Sequence, residues 1–106
     1  MSVVTEIQDS EIALLLADKR LVIIYFTSSR CDPRHQLDPI LVTLSDKYQS
    51  HAKIVKLDID KNQAVSQKFK VYIIPAILIF KQGIIVDKLL GIASYDRFST
   101  VLEKHL

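Results

Sequence analysis

The chain has 106 residues, of which 49% are hydrophobic and 25% charged, and its formal net charge is +2 at pH 7. This length suits one domain, and this composition excludes a disordered chain. The charges are scattered, and no apolar stretch reaches the roughly 18 residues that a membrane span needs. We therefore expect neither a nucleic-acid partner nor a membrane partner.

Cysteine usage indicates a reducing compartment. Cys31 is the only cysteine in the sequence, so no disulfide can form within the chain and no zinc site can be built from paired cysteines. The three histidines have no metal-ligand spacing, and we expect no metal and no cofactor. The first residues lack the basic-then-apolar pattern of a signal peptide. A cytoplasmic protein is therefore expected.

The first quarter of the chain shows a strand pattern, a helix pattern and a second strand pattern. Val3 to Ile7 fits a short edge strand, and Asp9 or Ser10 then fits the N-cap of a helix that ends near Asp18. Leu21 to Phe26 is a continuous apolar run, which is typical of a strand buried on both faces.

A polar loop and a longer helix follow this strand. The loop is Thr27-Ser28-Ser29-Arg30-Cys31-Asp32, and Pro33 suits the first helical position, where a missing N–H costs nothing. Pro39 lies inside the helical pattern and predicts a kink. The apolar stripe of this helix has helical spacing and consists of Leu37, Ile40, Leu41, Leu44 and Tyr48.

The middle of the chain predicts another strand and a short helix. In the strand, from Lys53 to Ile59, apolar residues alternate with Lys56 and Asp58, which predicts one half-buried, charged face. Asn62 is expected to cap a helix that runs to Phe69.

The last third predicts an antiparallel hairpin and a terminal helix. Pro75 precedes a strand from Ala76 to Phe80, Lys81-Gln82-Gly83 forms a tight turn, and Ile84 to Leu90 returns as the partner strand. Ser94 is expected to cap a helix that carries Asp96 in its first turn and His105 in its last. Phe98, Val101 and Leu102 form the predicted inner stripe of that helix. The order β-α-β-α-β-α-β-β-α predicts an α/β fold with a mixed central sheet and helices on both faces.

Several motifs at matching spacings together resemble the thioredoxin family. The sequence has a helix-initiating Cys-x-Pro after the second strand and Ile74-Pro75 before the fourth. Further matches are the strand VIIYF, the loop RCDPR, Asp38-Pro39-Ile40-Leu41, the strand VKLDID, Phe80-Lys81-x-Gly83 and Leu90-Gly91. The resemblance covers nearly the whole chain and implies a thioredoxin fold in one domain, residues 1–106. It also implies that Ile74–Pro75 is a cis peptide facing Cys31.

The active-site loop departs from the family's pattern. The family has Trp-Cys-Gly-Pro-Cys, whereas this chain has Arg30-Cys31-Asp32-Pro33-Arg34. The resemblance implies that Cys31 keeps the nucleophile position and that Arg34 replaces the resolving cysteine. Without a second thiol the reaction is expected to stop at a mixed disulfide until an outside thiol resolves it. Ordinary thioredoxin disulfide reductase activity is therefore not expected.

The resemblance also identifies positions near the loop where this chain differs from the family and one where it does not. Tyr25 stands where the family carries its buried aspartate, and Lys56 is the retained partner of that aspartate. The two tryptophans of the family's loop are replaced by Thr27 and Arg30. The redox machinery has therefore changed while the motifs of the scaffold remain.

The surroundings of Cys31 favour a thiolate. The predicted helix N-terminus stabilises negative charge, and Arg30 and Arg34 flank the sulfur. The negative charge of Asp32 opposes their effect on the thiol, unless its carboxylate acts as an N-cap and is hydrogen-bonded to backbone N–H groups. We expect a thiol pKa below the free value of about 8.5, the alternative being an idle, covered thiol. Arg34 either holds an anion, such as the thiolate or a glutathione carboxylate, or is a solvated arginine in the first helical turn.

The resemblance also implies a binding surface for an extended peptide. It places Ile59, Ile73, Ile74, Gly91 and Ile92 on this surface. Ile73 stands where the family often has glycine, which predicts a bulkier and more apolar patch. Exposed apolar surface usually marks a partner site; the alternative is that one or two of these isoleucines face the core.

Three functional hypotheses follow. The first is a monothiol redox protein whose Cys31 forms mixed disulfides with a protein or glutathione. The second is a binding module that holds a protein partner at the loop and cis-proline face without chemistry. The third, an iron–sulfur or glutathione-transfer role like that of monothiol glutaredoxins, is disfavoured because the chain lacks Thr-Val-Pro before the fourth strand and Gly-Gly after it.

Overall fold

The computed structural model describes residues 4–28, 34–91 and 94–106, and for residues 34–37 it describes the backbone alone. Its elements are β1 (Thr5–Ile7), α1 (Ile12–Leu16), β2 (Leu21–Thr27), α2 (Arg34–Lys47), β3 (Ala52–Asp58), α3 (Gln63–Lys68), β4 (Ala76–Lys81), β5 (Ile84–Leu90) and α4 (Tyr95–Glu103), with a 3-10 turn at Asp9–Glu11 before α1. The predicted order of strands and helices is confirmed. Val3, the predicted first residue of β1, lies outside the described residues.

The five strands form one mixed sheet in the order β1-β3-β2-β4-β5. β3 pairs in parallel with both β1 and β2, whereas β4 pairs antiparallel with both β2 and β5. β2 lies at the centre, and all seven of its residues are buried. This position explains its continuous apolar run, because both faces of a central strand are covered.

Helices cover both faces of the sheet, as predicted. On one face, Leu41 and Leu44 of α2 and Phe98 and Leu102 of α4 pack in one hydrophobic cluster with Ile23. On the other face, α1 and α3 contribute Ile12 and Val65 to a second cluster. Alternate residues of β2 join different clusters, since successive side chains of a strand point to opposite faces.

The predicted stripe of α2 is confirmed where the structure describes it. Leu41, Leu44 and Tyr48 are buried, and Ile40 packs against their cluster. Leu37 is one of the residues described by backbone alone. Pro39 does lie inside α2, and Thr43 Oγ1 donates to its carbonyl at 3.0 Å. The kink stays a prediction.

The predicted cap of the first helix is wrong. Glu11 is the N-cap of α1, and Gln8 is the N-cap of the 3-10 turn before it, where the Glu11 side chain accepts a hydrogen bond from the Gln8 N–H at 2.7 Å. Asp9 and Ser10 consequently lie inside the 3-10 turn and not before it. This reciprocal arrangement replaces the short-side-chain cap that the sequence favours.

Asn62 occupies the N-cap position of α3, but its side chain makes no capping hydrogen bond. It is 4% exposed. Its Oδ1 accepts from Asp9 N at 2.9 Å, and its Nδ2 donates to the Asp58 carbonyl at 2.9 Å and to Gln8 Oε1 at 3.1 Å. Asn62 therefore ties the end of β3 to the segment between β1 and α1.

The predicted half-buried, charged face of β3 is confirmed at Lys56 and wrong at Asp58. Asp58 is 6% exposed and Lys56 is half-buried, while Ile54 on the same face belongs to the core. This face lies under α2, since Lys56 lines one cavity with Leu41 and Val42 of that helix. An alternating pattern does not show whether a helix covers the polar side of a strand.

The C-terminal elements agree with prediction except at His105. Ser94 Oγ caps α4 by accepting from Arg97 N at 3.2 Å. His105 does not lie in the last turn of α4, because the helix ends at Glu103; its Nε2 instead lies 3.1 Å from Asp87 Oδ2 on β5. The β4–β5 turn has Gln82 at φ +53° and Gly83 at φ +81°, as tight hairpin turns require.

Candidate functional site

The residues that flank the predicted site lie where the central strands β2 and β3 end and β4 begins. Thr27, the last residue of β2, pairs with Asp58, the last of β3, and Phe26 pairs with Ala76, the first of β4. The loop of Cys31 leaves this edge after Ser28, and the chain returns in α2. Arg30, Cys31, Asp32, Pro33 and Ile92 lie outside the described residues, so their places in the site stay predictions.

Arg34 is the first residue of α2. It is among the residues described by backbone alone, and neither interpretation of its side chain is tested. Cys31 lies three residues before this first described residue of the helix.

Pro75 and Gly91 meet through their backbones. The Ile74–Pro75 peptide bond is cis, and Pro75 is buried directly before β4. The Pro75 carbonyl accepts a hydrogen bond from Gly91 N at 2.8 Å, and Gly91 has φ +80°, a conformation that side chains disfavour. Two of the predicted site residues are thereby brought together at the start of β4 and the end of β5.

The predicted isoleucines divide into two groups. Ile73 is 59% exposed, whereas Ile59 and Ile74 are half-buried and pack against the α1–α3 side of the core. Ile73 thus presents apolar surface to solvent, as predicted. Ile59 and Ile74 are partly directed towards the core, which was the alternative.

Sequence analysis missed two exposed apolar residues near Ile73. Tyr72 is 75% exposed and Leu90 is 54% exposed. The sequence of β5 does not alternate, so it carries no signal for Leu90; in the structure Leu90 points away from the core because Leu89 next to it is buried. No local pattern identifies Tyr72 either, which lies in the connection between α3 and β4.

A polar network, buried at Ser28 and Asp58 and exposed at Asp60, links the ends of β2 and β3 where the Cys31 loop begins, and sequence analysis missed it. Ser28 is buried and its hydroxyl donates to the Asp60 carboxylate. Asp60 N donates to Asp58 Oδ1 at 2.8 Å, and Ile59 N donates to the Thr27 carbonyl at 2.9 Å. Buried polar groups of this kind hold a local backbone in one arrangement when they are hydrogen-bonded. The network therefore fixes the base from which the loop starts.

A second polar group lies beneath α2. Tyr25 is fully buried and pairs in register with Lys56. Lys56 and Asp38 of α2 line one cavity of about 120 Å³ together with Val4, Leu41 and Val42. Asp38 Oδ1 is buried and has no hydrogen-bond partner among the residues that the structure describes. The carboxylate of Asp38 thus reaches the cavity beside Lys56 from α2. Tyr25 on β2 occupies the position that the resemblance assigns to the family's buried aspartate.

The described residues offer no metal site. No group of three or more His, Cys, Asp or Glu side chains in this part of the chain could hold a metal ion. Among the helices that the structure describes, none is long and apolar enough to cross a membrane.

Comparison with known proteins decides the family. The thioredoxin family model matches residues 3–104. This chain belongs to the thioredoxin family. Thioredoxin from Staphylococcus saprophyticus is 38% identical over 81 residues, which cover 76% of this chain and 78% of that protein.

Solved thioredoxin structures confirm the thioredoxin fold. A mutant thioredoxin from Halobacterium salinarum superposes with a TM-score of 0.89 at 26% identity, over 97% of this chain and 90% of that one. Thioredoxin from Malassezia sympodialis also gives 0.89, over 99% of this chain and 92% of that one; at 20% identity it shows the fold alone. The protein is therefore a thioredoxin-family member with a single cysteine.

Proposed function

We propose that this thioredoxin-family protein acts as a monothiol, forming mixed disulfides through Cys31 that an outside thiol resolves. One observation carries the proposal: the single cysteine of the chain lies three residues before Arg34, the first described residue of α2. The unpaired N–H groups and the dipole at a helix N-terminus favour a thiolate over a thiol. The neighbouring Arg30 and Arg34 add positive charge, and Asp32 offsets part of it.

The proposed chemistry is one half of a disulfide exchange. The Cys31 thiolate attacks one sulfur of a disulfide; the substrate S–S bond breaks as the new bond to Cys31 forms, and the other sulfur leaves as a thiolate that takes a proton from water. Since Arg34 occupies the family's resolving position, an outside thiolate, from glutathione or a protein, attacks the substrate sulfur of the mixed disulfide. The S–S bond to Cys31 breaks as a disulfide forms between the outside thiol and the substrate, which restores the Cys31 thiolate, and no cofactor takes part.

The proposed partner surface surrounds Pro75. It comprises Pro75, Gly91 and Ile73, with Ile59 and Ile74 beside them and Ile92 next in the chain; Arg30, Asp32 and Pro33 contribute from the loop. Exposed apolar surface at Ile73 supports a protein partner here. The backbone of Ile74, before the cis peptide bond, is the proposed pairing point for an extended segment.

A non-catalytic binding module is the second candidate. The observation that favours it is the exposure of large apolar side chains beside Pro75, at Tyr72, Ile73 and Leu90. A surface of this kind can hold a partner whether or not Cys31 reacts.

The pH dependence of Cys31 alkylation separates the two candidates. Reduced protein is treated with iodoacetamide over a range of pH and read by intact mass, with Cys31→Ser as the unreactive control. We expect a midpoint well below about 8.5, the value for a free thiol. A midpoint at or above that value, or a thiol that does not react, would contradict the monothiol proposal and leave the binding module.

A further inference from the structure

A depression of about 100 Å³ lies beside the cis-proline segment. Tyr72, Ile73, Leu90, Lys70 and Lys88 line it, and we name these five residues the Tyr72 patch. The three apolar members are each more than half exposed. Large apolar side chains that cluster on a surface mark a contact with another molecule more often than single ones do.

The rim of the Tyr72 patch is positively charged. Lys70 and Lys88 are exposed, and the described residues that line the depression include no Asp or Glu. The ammonium of Lys68 lies 5.5 Å from the centre of the Phe69 ring, which also lines it. In the part of the chain that the structure describes, neither Lys70 nor Lys88 forms a salt bridge. Their charge is therefore open to a partner.

Lys70 adopts a backbone conformation that favours glycine. Val71 N donates to the Ser66 carbonyl at 2.9 Å and Lys70 N to the Gln67 carbonyl at 3.2 Å, which closes the C-terminus of α3. In this motif the residue at Lys70 takes positive φ, here +57°, and glycine is preferred because a side chain is strained there. A lysine at such a position, where glycine would relieve the strain, is consistent with a task for its exposed side chain outside the fold.

We infer that the Tyr72 patch binds an extended segment of a partner protein in which aromatic or aliphatic side chains stand next to acidic residues. The apolar side chains cover Tyr72, Ile73 and Leu90, while the acidic ones approach Lys70 and Lys88. This inference rests on the proposed function only for placing a partner beside Pro75. A second copy of this chain is a poorer occupant, because it would bring the same lysines to the contact.

The test is noncovalent binding by the Cys31→Ser protein, in which no thiol chemistry can contribute. Two fluorescein-labelled peptides share an apolar Phe-Val-Leu centre; one has Asp-Glu flanks and the other Lys-Arg flanks. Anisotropy should show tighter binding of the acidic peptide, with a preference that weakens as salt rises. Equal binding of the two peptides would overturn the inference, whatever the outcome of the Cys31 alkylation experiment.

Matched variants locate the contact. Lys70→Glu and Lys88→Glu should each weaken binding of the acidic peptide roughly fivefold, whereas Lys104→Glu, after α4 on the other face of the sheet, should leave it unchanged. Tyr72→Ala should weaken binding of both peptides. An unchanged affinity in both charge-reversed variants, or an equal loss in Lys104→Glu, would overturn the inference.

Lys70→Gly separates a binding role from a structural one. Glycine relieves the positive φ, so the Tm should rise while affinity for the acidic peptide falls. A higher Tm with unchanged affinity would contradict a task for the Lys70 side chain. Self-association that Tyr72→Ala abolishes, or tighter binding of a labelled single-stranded oligonucleotide than of the acidic peptide, would assign the patch to another occupant and overturn the inference.

Discussion

By the resemblance in its sequence, Arg34 stands where the thioredoxin family carries its second cysteine. Disulfide exchange within one protein needs that thiol, because it releases the substrate from the first one. Under the proposed function, this residue makes the exchange depend on a thiol from another molecule. Nothing in the described scaffold opposes the family's geometry, since the sheet order, the cis-proline segment and α2 are all present.

Arg34→Cys should restore an intramolecular disulfide with Cys31. Under mild oxidation we expect the intact mass to fall by that of two hydrogens, and the variant should gain dithiothreitol-dependent reduction of a protein disulfide. Arg97→Cys, which replaces an arginine in the first turn of α4, is the matched control and should gain neither property. A disulfide without reductase activity would show that the surface around Pro75 no longer accepts the disulfide substrate.

The sequence predicts individual residues well where one side chain determines the outcome. Ser94 caps α4 because its hydroxyl is short enough to reach Arg97 N. His105 differs, since its partner Asp87 lies on β5 and no local pattern relates the two positions. The exposure of Tyr72 likewise depends on how the connection between α3 and β4 packs, which no local pattern shows. The missed residues of the site are those whose surroundings come from distant parts of the chain.

Among the elements, β2 was the most predictable and β3 the least. A run of seven buried residues can only be a covered strand or a buried helix, and its length and β-branched residues favour the strand. In β3, alternation correctly indicates the strand, but the burial of Asp58 follows from its hydrogen bond with Asp60 N and from the neighbouring strands. Propensity describes one element, whereas burial depends on its neighbours.

Asn62 connects three elements, and its removal should therefore affect global stability. Asn62→Ala leaves Asp9 N and the Asp58 carbonyl without their side-chain partners. We expect a loss of about 1–3 kcal/mol in the free energy of unfolding, measured by urea denaturation. Gln63→Ala, at the exposed next residue, should change it by less than about 0.5 kcal/mol. A similar small effect of Asn62→Ala would argue against this connecting role.

The free energy of unfolding of the whole molecule should fall in acid, because the partly exposed ion pair between Asp18 and Arg20 loses its charge interaction. The Arg20 guanidinium, which donates to Asp18, lowers the pKa of Asp18 from 3.8 to about 2. Since the folded-state pKa lies below the unfolded value, the pair stabilises the fold fully above pH 4 and loses this contribution as the pH falls towards 2. The Asp87 pKa is also lowered, by its hydrogen bond with His105, and contributes with the same sign.

Comparison of Asp18→Asn with the wild type measures this contribution. We expect the difference between their free energies of unfolding to be about 1 kcal/mol near pH 6, because solvent screens the partly exposed Arg20. It should disappear near pH 2. Urea denaturation at both pH values gives the difference, and one that is equal at the two would refute the assignment.

The order of strands in the sheet also has a consequence for biosynthesis. β2 leaves the ribosome before either of its neighbours, since β3 begins at Ala52 and β4 at Ala76. Until β4 is complete, a nascent chain carries an apolar strand with an unpaired edge, and such edges attract other chains. Chaperone capture of stalled chains should therefore be strong when synthesis stops before β4 and weak once β5 has emerged.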